Sequence, residues 1–280
     1  MEVVKPVKRN ILLNPGPATT SDTVKYAQVV PDICPREPEF IEVMDRVRKE
    51  LVRIVHGDPE KYTAVIFTGS GTIIQDVCVN SLVPDKKKIC VVNNGAYSAR
   101  MVEIANHYHI PCVNLKFPET GLPNLDTVRE TLEKDKEIVV VATVHHETGT
   151  GVLNPIKEIG AIAHQEGCLF VVDTISTYGL RPIRIEEENI DFLMSSAQKG
   201  LAAMVGASWT VGRIDEIEKS ASYPKRSYYC NLFMQYDFFK RVGEIHFTPP
   251  VQTIYALQQA IKEYWEEGEH ARWELLTQCW

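Results

Sequence analysis

Phe67-Thr68-Gly69-Ser70-Gly71-Thr72 carries an apolar run, Ala64 to Phe67, through two glycines into a stretch from Thr72 to Leu82 with apolar residues at helical spacing. A strand that turns tightly into a helix needs further strands for that helix to cover, so this segment decides for an α/β architecture. Moving outward, β-branched runs recur at Ile89 to Val92, Cys112 to Leu115, Ile138 to Val144, Cys168 to Val172, Phe192 to Met194 and Ser208 to Val211. Their nearly continuous apolar character predicts about seven strands buried on both faces of a mostly parallel sheet between helices. The intervening Ala96 to His107, Leu125 to Lys134 and Ile156 to Glu166 read as crossover helices. Glu39 to His56 precedes the sheet as a long amphipathic helix with Phe40, Val43, Val47 and Leu51 on one stripe, and Gln252 to Glu267 follows it as another.

The βα rhythm stops near Pro249-Pro250, so residues 21–250 read as one large domain and 251–280 as one helix with a short tail. The 280 residues carry 44% hydrophobic and 24% charged side chains and a net charge of -7, which excludes disorder, collagen and coiled coil. Mild acidity with scattered Lys and Arg argues against nucleic acid as a partner. Lys86-Lys87-Lys88 reads as a solvated loop. No stretch approaches the roughly eighteen apolar residues of a membrane span, and the charged N-terminus lacks a leader's apolar core, so a cytoplasmic protein with no membrane partner is expected. Seven widely spaced cysteines, at 34, 78, 90, 112, 168, 230 and 279, read as reduced and mostly buried thiols. His107 with His109, and His145 with His146, lack the one-face spacing of a helical metal site, so no metal is expected.

Three features carry chemistry. The Gly69 to Thr72 turn puts free N–H groups and a helix dipole where an anion could bind, although such a turn can also be purely structural. Leu169-Phe170-Val171-Val172-Asp173 ends an apolar strand in an acid, at the strand end where parallel sheets bind ligands. That acid could be a helix cap, or could stabilise a protonated nitrogen. Lys199 stands in Ser195-Ser196-Ala197-Gln198-Lys199-Gly200-Leu201-Ala202-Ala203 with no charged neighbour, which suits a partly desolvated amine of low pKa and Schiff-base chemistry, or else a solvated surface lysine. Together they are the anchors that pyridoxal 5'-phosphate (PLP) requires: Lys199 for the aldehyde, Asp173 for the ring nitrogen, and the glycine turn for the phosphate.

The chain resembles the class V, fold-type I PLP aminotransferases, and within them most closely the 2-aminoethylphosphonate:pyruvate aminotransferases. The resemblance is carried by Leu12 to Pro17, Asp32-Ile33-Cys34-Pro35-Arg36-Glu37, Gly69 to Thr72, Asn94 to Met101, His145-His146-Glu147-Thr148, Val172-Asp173, Ser195 to Lys199 and Phe247-Thr248-Pro249. It implies that Lys199 both anchors the cofactor and moves the proton, and that Asp173 pairs with the pyridinium. It further implies Tyr97 and Ile175 on the two ring faces, Thr148 near the ring hydroxyl, and Ser70, Gly71, Thr72 and Gln198 around the phosphate. Thr248 would reach that phosphate from the other subunit of a homodimer. Residues 1–20 would form an arm over the site, with Asn14 and Gly16 toward the substrate, and Arg36 and Arg226 are candidates for the phosphonate because guanidinium forks match phosphoryl oxygens.

The implied activity moves the amino group of 2-aminoethylphosphonate to pyruvate, giving phosphonoacetaldehyde and L-alanine. A serine or alanine:glyoxylate aminotransferase shares the cofactor residues and is the nearest alternative, followed by an inactive truncated PLP-fold chain. A cysteine desulfurase is less favoured, since no cysteine sits in an evident catalytic loop. Family members continue into a small C-terminal α/β domain that carries a substrate-binding arginine. The expectation is therefore an incomplete small domain, with cofactor binding retained and transamination weak or absent.

Overall fold

The computed structural model describes residues 10–278. Residues 1–9 of the expected arm, Cys279 and Trp280 lie outside the described residues. A short helix α1 (Asp22–Tyr26) and the long α2 (Pro38–Ile54) precede the sheet. The elements then alternate: β1 (Tyr62–Gly69), α3 (Gly71–Ser81), β2 (Lys88–Asn93), α4 (Ala96–His107), β3 (Cys112–Lys116), α5 (Leu125–Lys134) and β4 (Ile138–Val144). A two-residue ladder of β5 (His146–Glu147) and β6 (Val152–Leu153) leads to α6 (Ile156–Gln165), β7 (Leu169–Asp173), β8 (Phe192–Ser196) and β9 (Gly206–Arg213). Helices α7 (Ile214–Lys219), α8 (Leu232–Val242), α9 (Val251–Glu267) and α10 (Glu269–Gln278) complete the chain.

All seven expected strands form one sheet in the order β3-β2-β4-β7-β8-β9-β1. The first five run parallel, while β9 is antiparallel to both its neighbours. Only a helix-free loop joins β8 to β9, and without a crossover the chain must return antiparallel. The register sets Val144 beside Asp173 and Asp173 beside Met194, so several strands end along one edge. Gly69 at the end of β1 lies on the same side of the sheet, opposite Gly206. This carboxyl edge is where an open α/β sheet binds ligands.

The structure corrects two sequence expectations. β3 is not buried on both faces: it closes the sheet at one edge, and Val113 and Leu115 are only partly covered. The segment after Gly268 is not a tail but the helix α10, which has no buried residue and therefore no apolar stripe to betray it. It is held by Arg272, whose guanidinium pairs with Glu267 and donates to the carbonyls of Gly179 and Gly200 at 3.2 and 3.0 Å. Lys88 is also engaged, opening β2 between Asp135 and Glu137. Among the described residues six cysteines are free, with Cys34 exposed and Cys78, Cys90 and Cys168 buried. No described helix is long and apolar enough to cross a membrane.

Candidate functional site

Lys199 follows β8 in a tight turn, and its amine reaches the Pro15 carbonyl at 3.4 Å. Burial lowers its pKa below the ordinary lysine value, partly opposed by the negative charge of Asp173. The lysine has no charged neighbour in sequence, and the fold brings Asp173 to it. The segment from Asn14 to Ala18 lies across this lysine. The Ala18 amide donates to the Gln198 carbonyl at 2.8 Å, and a Cβ built on Gly16 would fall 2.5 Å from the Lys199 amine. Gly16 has a φ of 141°, so both its backbone and its neighbour require glycine.

Asp173 ends β7 and is almost fully buried. Its Oδ1 accepts the Ile175 amide at 2.8 Å and its Oδ2 accepts the Gln75 side-chain amide at 2.6 Å. Both bonds favour the ionised form, yet burial outweighs them and pushes the carboxyl up to about 6. Such a carboxylate is under-compensated, and a cation delivered to it would be welcome.

Two helices start beside this acid, and they differ. The first turn of α4 is closed by the buried Glu147 carboxylate, which accepts the Tyr97 and Ser98 amides at 3.2 and 2.8 Å and the Ser98 hydroxyl at 2.7 Å. An acid at a helix start satisfies both orphan amides and dipole. At α3 the N-cap Ser70 makes no side-chain cap bond. Gly71 comes so near the opposing wall that a Cβ there would stand 2.9 Å from Ile175 and 3.3 Å from the Ser196 hydroxyl. The Ser196 hydroxyl beside it and the Gln198 side-chain carbonyl are buried without a partner. Arg100 donates to the Thr72 hydroxyl at 3.3 Å while lying over the Tyr97 ring. An open dipole end, a cation and the unpartnered Ser196 hydroxyl make this a place for an anion.

A narrow cleft joins these parts, lined by Tyr97, Val144, His146, Thr148, Asp173, Ile175, Ser176 and Lys199. A wider one of about 330 Å³ opens from the other side of Lys199 and includes Asn14, Pro15, Ala18 and Arg272. The fold thus assembles Lys199, Asp173, Tyr97, Thr148 and Ile175 in one cleft, sets Asn14 and Gly16 over the lysine, and places Gly71 against Ile175.

Eight expected residues line neither cleft: Gly16, Ser70, Gly71, Thr72 and Gln198, and with them Arg36, Arg226 and Thr248. Arg36 pairs with Glu244 at 2.6 Å and donates to the carbonyls of Ile245 and His246. Arg226 donates from Nη1 to the carbonyls of Asn80 and Val83, at the end of α3. Thr248 is exposed in the loop before α9.

Four residues of the site escaped the sequence reading. Gln75 is given no role there, although an amide among Ile73, Ile74, Val77 and Val79 is itself a signal. Glu147 and Arg100 stood in quoted motifs without a role. His146 lines the cleft, and burial lowers its pKa.

A family model described as aminotransferase class-V matches residues 22–276. The 2-aminoethylphosphonate–pyruvate transaminase of Lysinibacillus sphaericus is 35% identical over 92% of this chain and 70% of its own length. The protein of the same name from Syntrophobacter fumaroxidans is 37% identical over 92% of this chain and 69% of its own. Among solved structures, alanine–glyoxylate aminotransferase from Nostoc sp. superposes with a TM-score of 0.87 at 26% identity, covering 97% of this chain and 72% of that one.

Proposed function

Because the chain belongs to the class V aminotransferase family, we propose that it binds PLP between Lys199 and Asp173 and moves an amino group from 2-aminoethylphosphonate to pyruvate. The observation that carries this reading is the Lys199 and Asp173 pair in one cleft beside an uncapped helix start. The residues fit the cofactor by their own chemistry: an under-compensated buried carboxylate suits a pyridinium, and the open α3 terminus with the unpartnered Ser196 hydroxyl suits a phosphate. When bound, PLP supplies an electron sink for the carbon that carries the amino group.

The protein's share is to position that ring and to move protons. Lys199, its pKa lowered by burial, holds the aldehyde end and then carries the proton at the reacting carbon. Asp173 would keep the ring nitrogen protonated, and Tyr97, Ile175 and Thr148 would hold the ring. Ser70, Gly71, Thr72 and Gln198 would hold the phosphate, with Thr248 contributed by the second subunit of a homodimer. The arm through Asn14 and Gly16 covers one side of the amine. Arg36 and Arg226 are the proposed phosphonate partners. Since the fold gives both of them other partners, each is tested alone, and an unchanged KM for 2-aminoethylphosphonate removes it.

The donor assignment rests on the names of relatives 35 and 37% identical, against 26% for the alanine–glyoxylate enzyme. Presenting 2-aminoethylphosphonate, serine and alanine in turn, with pyruvate or glyoxylate as acceptor, separates the two readings. Preference for 2-aminoethylphosphonate with pyruvate is expected. Turnover of serine or alanine with glyoxylate alone moves the chain to the rival activity.

A further inference from the structure

We propose that Gln75 is a positioning residue that ties the ring-nitrogen partner Asp173 and the stacking residue Tyr97 into one hydrogen-bonded unit and keeps Asp173 charged. The proposal rests on the reading of the cleft as a PLP site. Gln75 lies in the second turn of α3 and is completely buried. Its amide nitrogen stands 2.6 Å from Asp173 Oδ2 and 3.3 Å from the Tyr97 carbonyl. One side chain therefore spans three elements: α3, whose start is the anion site, β7, which ends in Asp173, and α4, which carries Tyr97.

The arrangement is costly to the fold. The Gln75 carbonyl is buried without a partner, and an apolar side chain of that volume would carry no such penalty. What the amide contributes is specific to the acid. Asp173 Oδ1 is fixed by the Ile175 amide and Oδ2 by Gln75, which orients the carboxylate plane while leaving lone pairs for a ring N–H.

The electrostatics point the same way. The charged and titratable groups that face Asp173 are Glu147, which disfavours its ionisation, and Arg100 and Lys199, which favour it, with His146 in the same cleft and the buried Cys78 also in its field. The amides of Ile175 and Gln75 are the short-range contributions that resist burial. Without Gln75, burial and Glu147 act with less opposition, and the carboxyl takes up its proton at higher pH. A neutral Asp173 cannot hold a ring nitrogen in its protonated form.

The test uses the whole chain with Gln75→Met, which keeps the volume and removes the amide. PLP dissociation constants are measured by absorbance from pH 5 to 9, and the Asp173 carboxyl is titrated by carbon NMR in the cofactor-free protein. The variant should still form the Lys199-dependent visible band at high pH. Its Asp173 midpoint should rise by roughly one unit, with PLP binding weakened roughly tenfold near neutral pH. In the unsubstituted protein, the nitrogen-15 resonance of the Gln75 side-chain amide should titrate with the same midpoint as Asp173, which keeps the test valid if the variant fails to fold. Unchanged midpoints in the variant, or a flat Gln75 resonance, overturn the proposal while leaving the PLP reading intact. An unsubstituted chain that gives no PLP band takes down both.

Discussion

Gly16 and Lys199 pack so closely that the amine occupies the space a side chain at residue 16 would need, with a built Cβ 2.4 Å from the lysine Cδ. The arm and the amine are therefore one local structure. Gly16→Ala must displace either the lysine tail or the arm, and it also strains a backbone at φ 141°. The expected outcome is a slower and incomplete rise of the visible band on adding PLP and a kcat/KM at least roughly tenfold lower, about 1.4 kcal/mol. Thermal unfolding should shift little, because the core of the sheet lies elsewhere.

Asp173 makes the cofactor-free protein sensitive to pH in a predictable direction. Its carboxyl is raised from 3.8 to about 6 by burial. A raised pKa contributes stability that is fully present below the unfolded value and is lost as pH rises through 6. Near pH 8 the buried charge then costs up to about 3 kcal/mol. Asp173→Asn should consequently raise the melting temperature of the cofactor-free chain relative to the parent at pH 8 more than at pH 4. The same substitution should weaken PLP binding at pH 8.

His145 acts in the opposite sense. It is buried, bonded to the Thr177 hydroxyl at 2.9 Å, and burial lowers its pKa from 6.5 to about 3. A base whose pKa is depressed contributes stability that is present above pH 6.5 and is lost as pH falls toward 3. Between pH 6.5 and 4 this loss opposes the gain from Asp173, so His145→Gln should gain urea stability relative to the parent as the pH falls over that interval. Equal slopes for the two proteins would show that His145 does not govern acid sensitivity.

Glu147 closes α4 from across the cleft and so sets the height of Tyr97. Glu147→Ala removes acceptors from two main-chain amides and a hydroxyl, and should cost about 1–2 kcal/mol in thermal or urea unfolding, the range of a lost helix cap. PLP binding should weaken as well, because the ring of Tyr97 loses its anchor. Glu147→Gln, which keeps one acceptor oxygen, should recover part of both losses.

The sheet was legible in the sequence because its strands are long apolar runs that report burial by themselves, as Ile138–Val144 and Phe192–Ser196 show. What escaped was decided by position in the fold. Val113 and Leu115 look like core residues and become half-exposed only because β3 sits at the edge of the sheet. The helices α1 and α7 are short and α10 has no apolar face, so periodicity could not reveal them, whereas α8 carries Leu232, Tyr236 and Phe239 at helical spacing, a signal the reading passed over.

The same division runs through the site. Asp173 and Lys199 stood out because each breaks the pattern of its own segment. The bonds from Gln75 to Asp173 and from Ser98 to Glu147 join residues 98 and 49 positions apart, a pairing that no local pattern records. Arg36 and Arg226 illustrate the converse. Their guanidinium chemistry suits a phosphonate, but the fold gives Arg36 to Glu244 and Arg226 to the end of α3.

The most direct measurement is the formation of L-alanine from pyruvate with 2-aminoethylphosphonate as the amino donor, in the presence of PLP, by the parent chain and by Lys199→Ala. Alanine formed by the parent with equimolar phosphonoacetaldehyde, and none formed by the variant, is the predicted result. No alanine from the parent although it carries the Lys199-dependent band, or equal alanine from both proteins, would contradict the assignment.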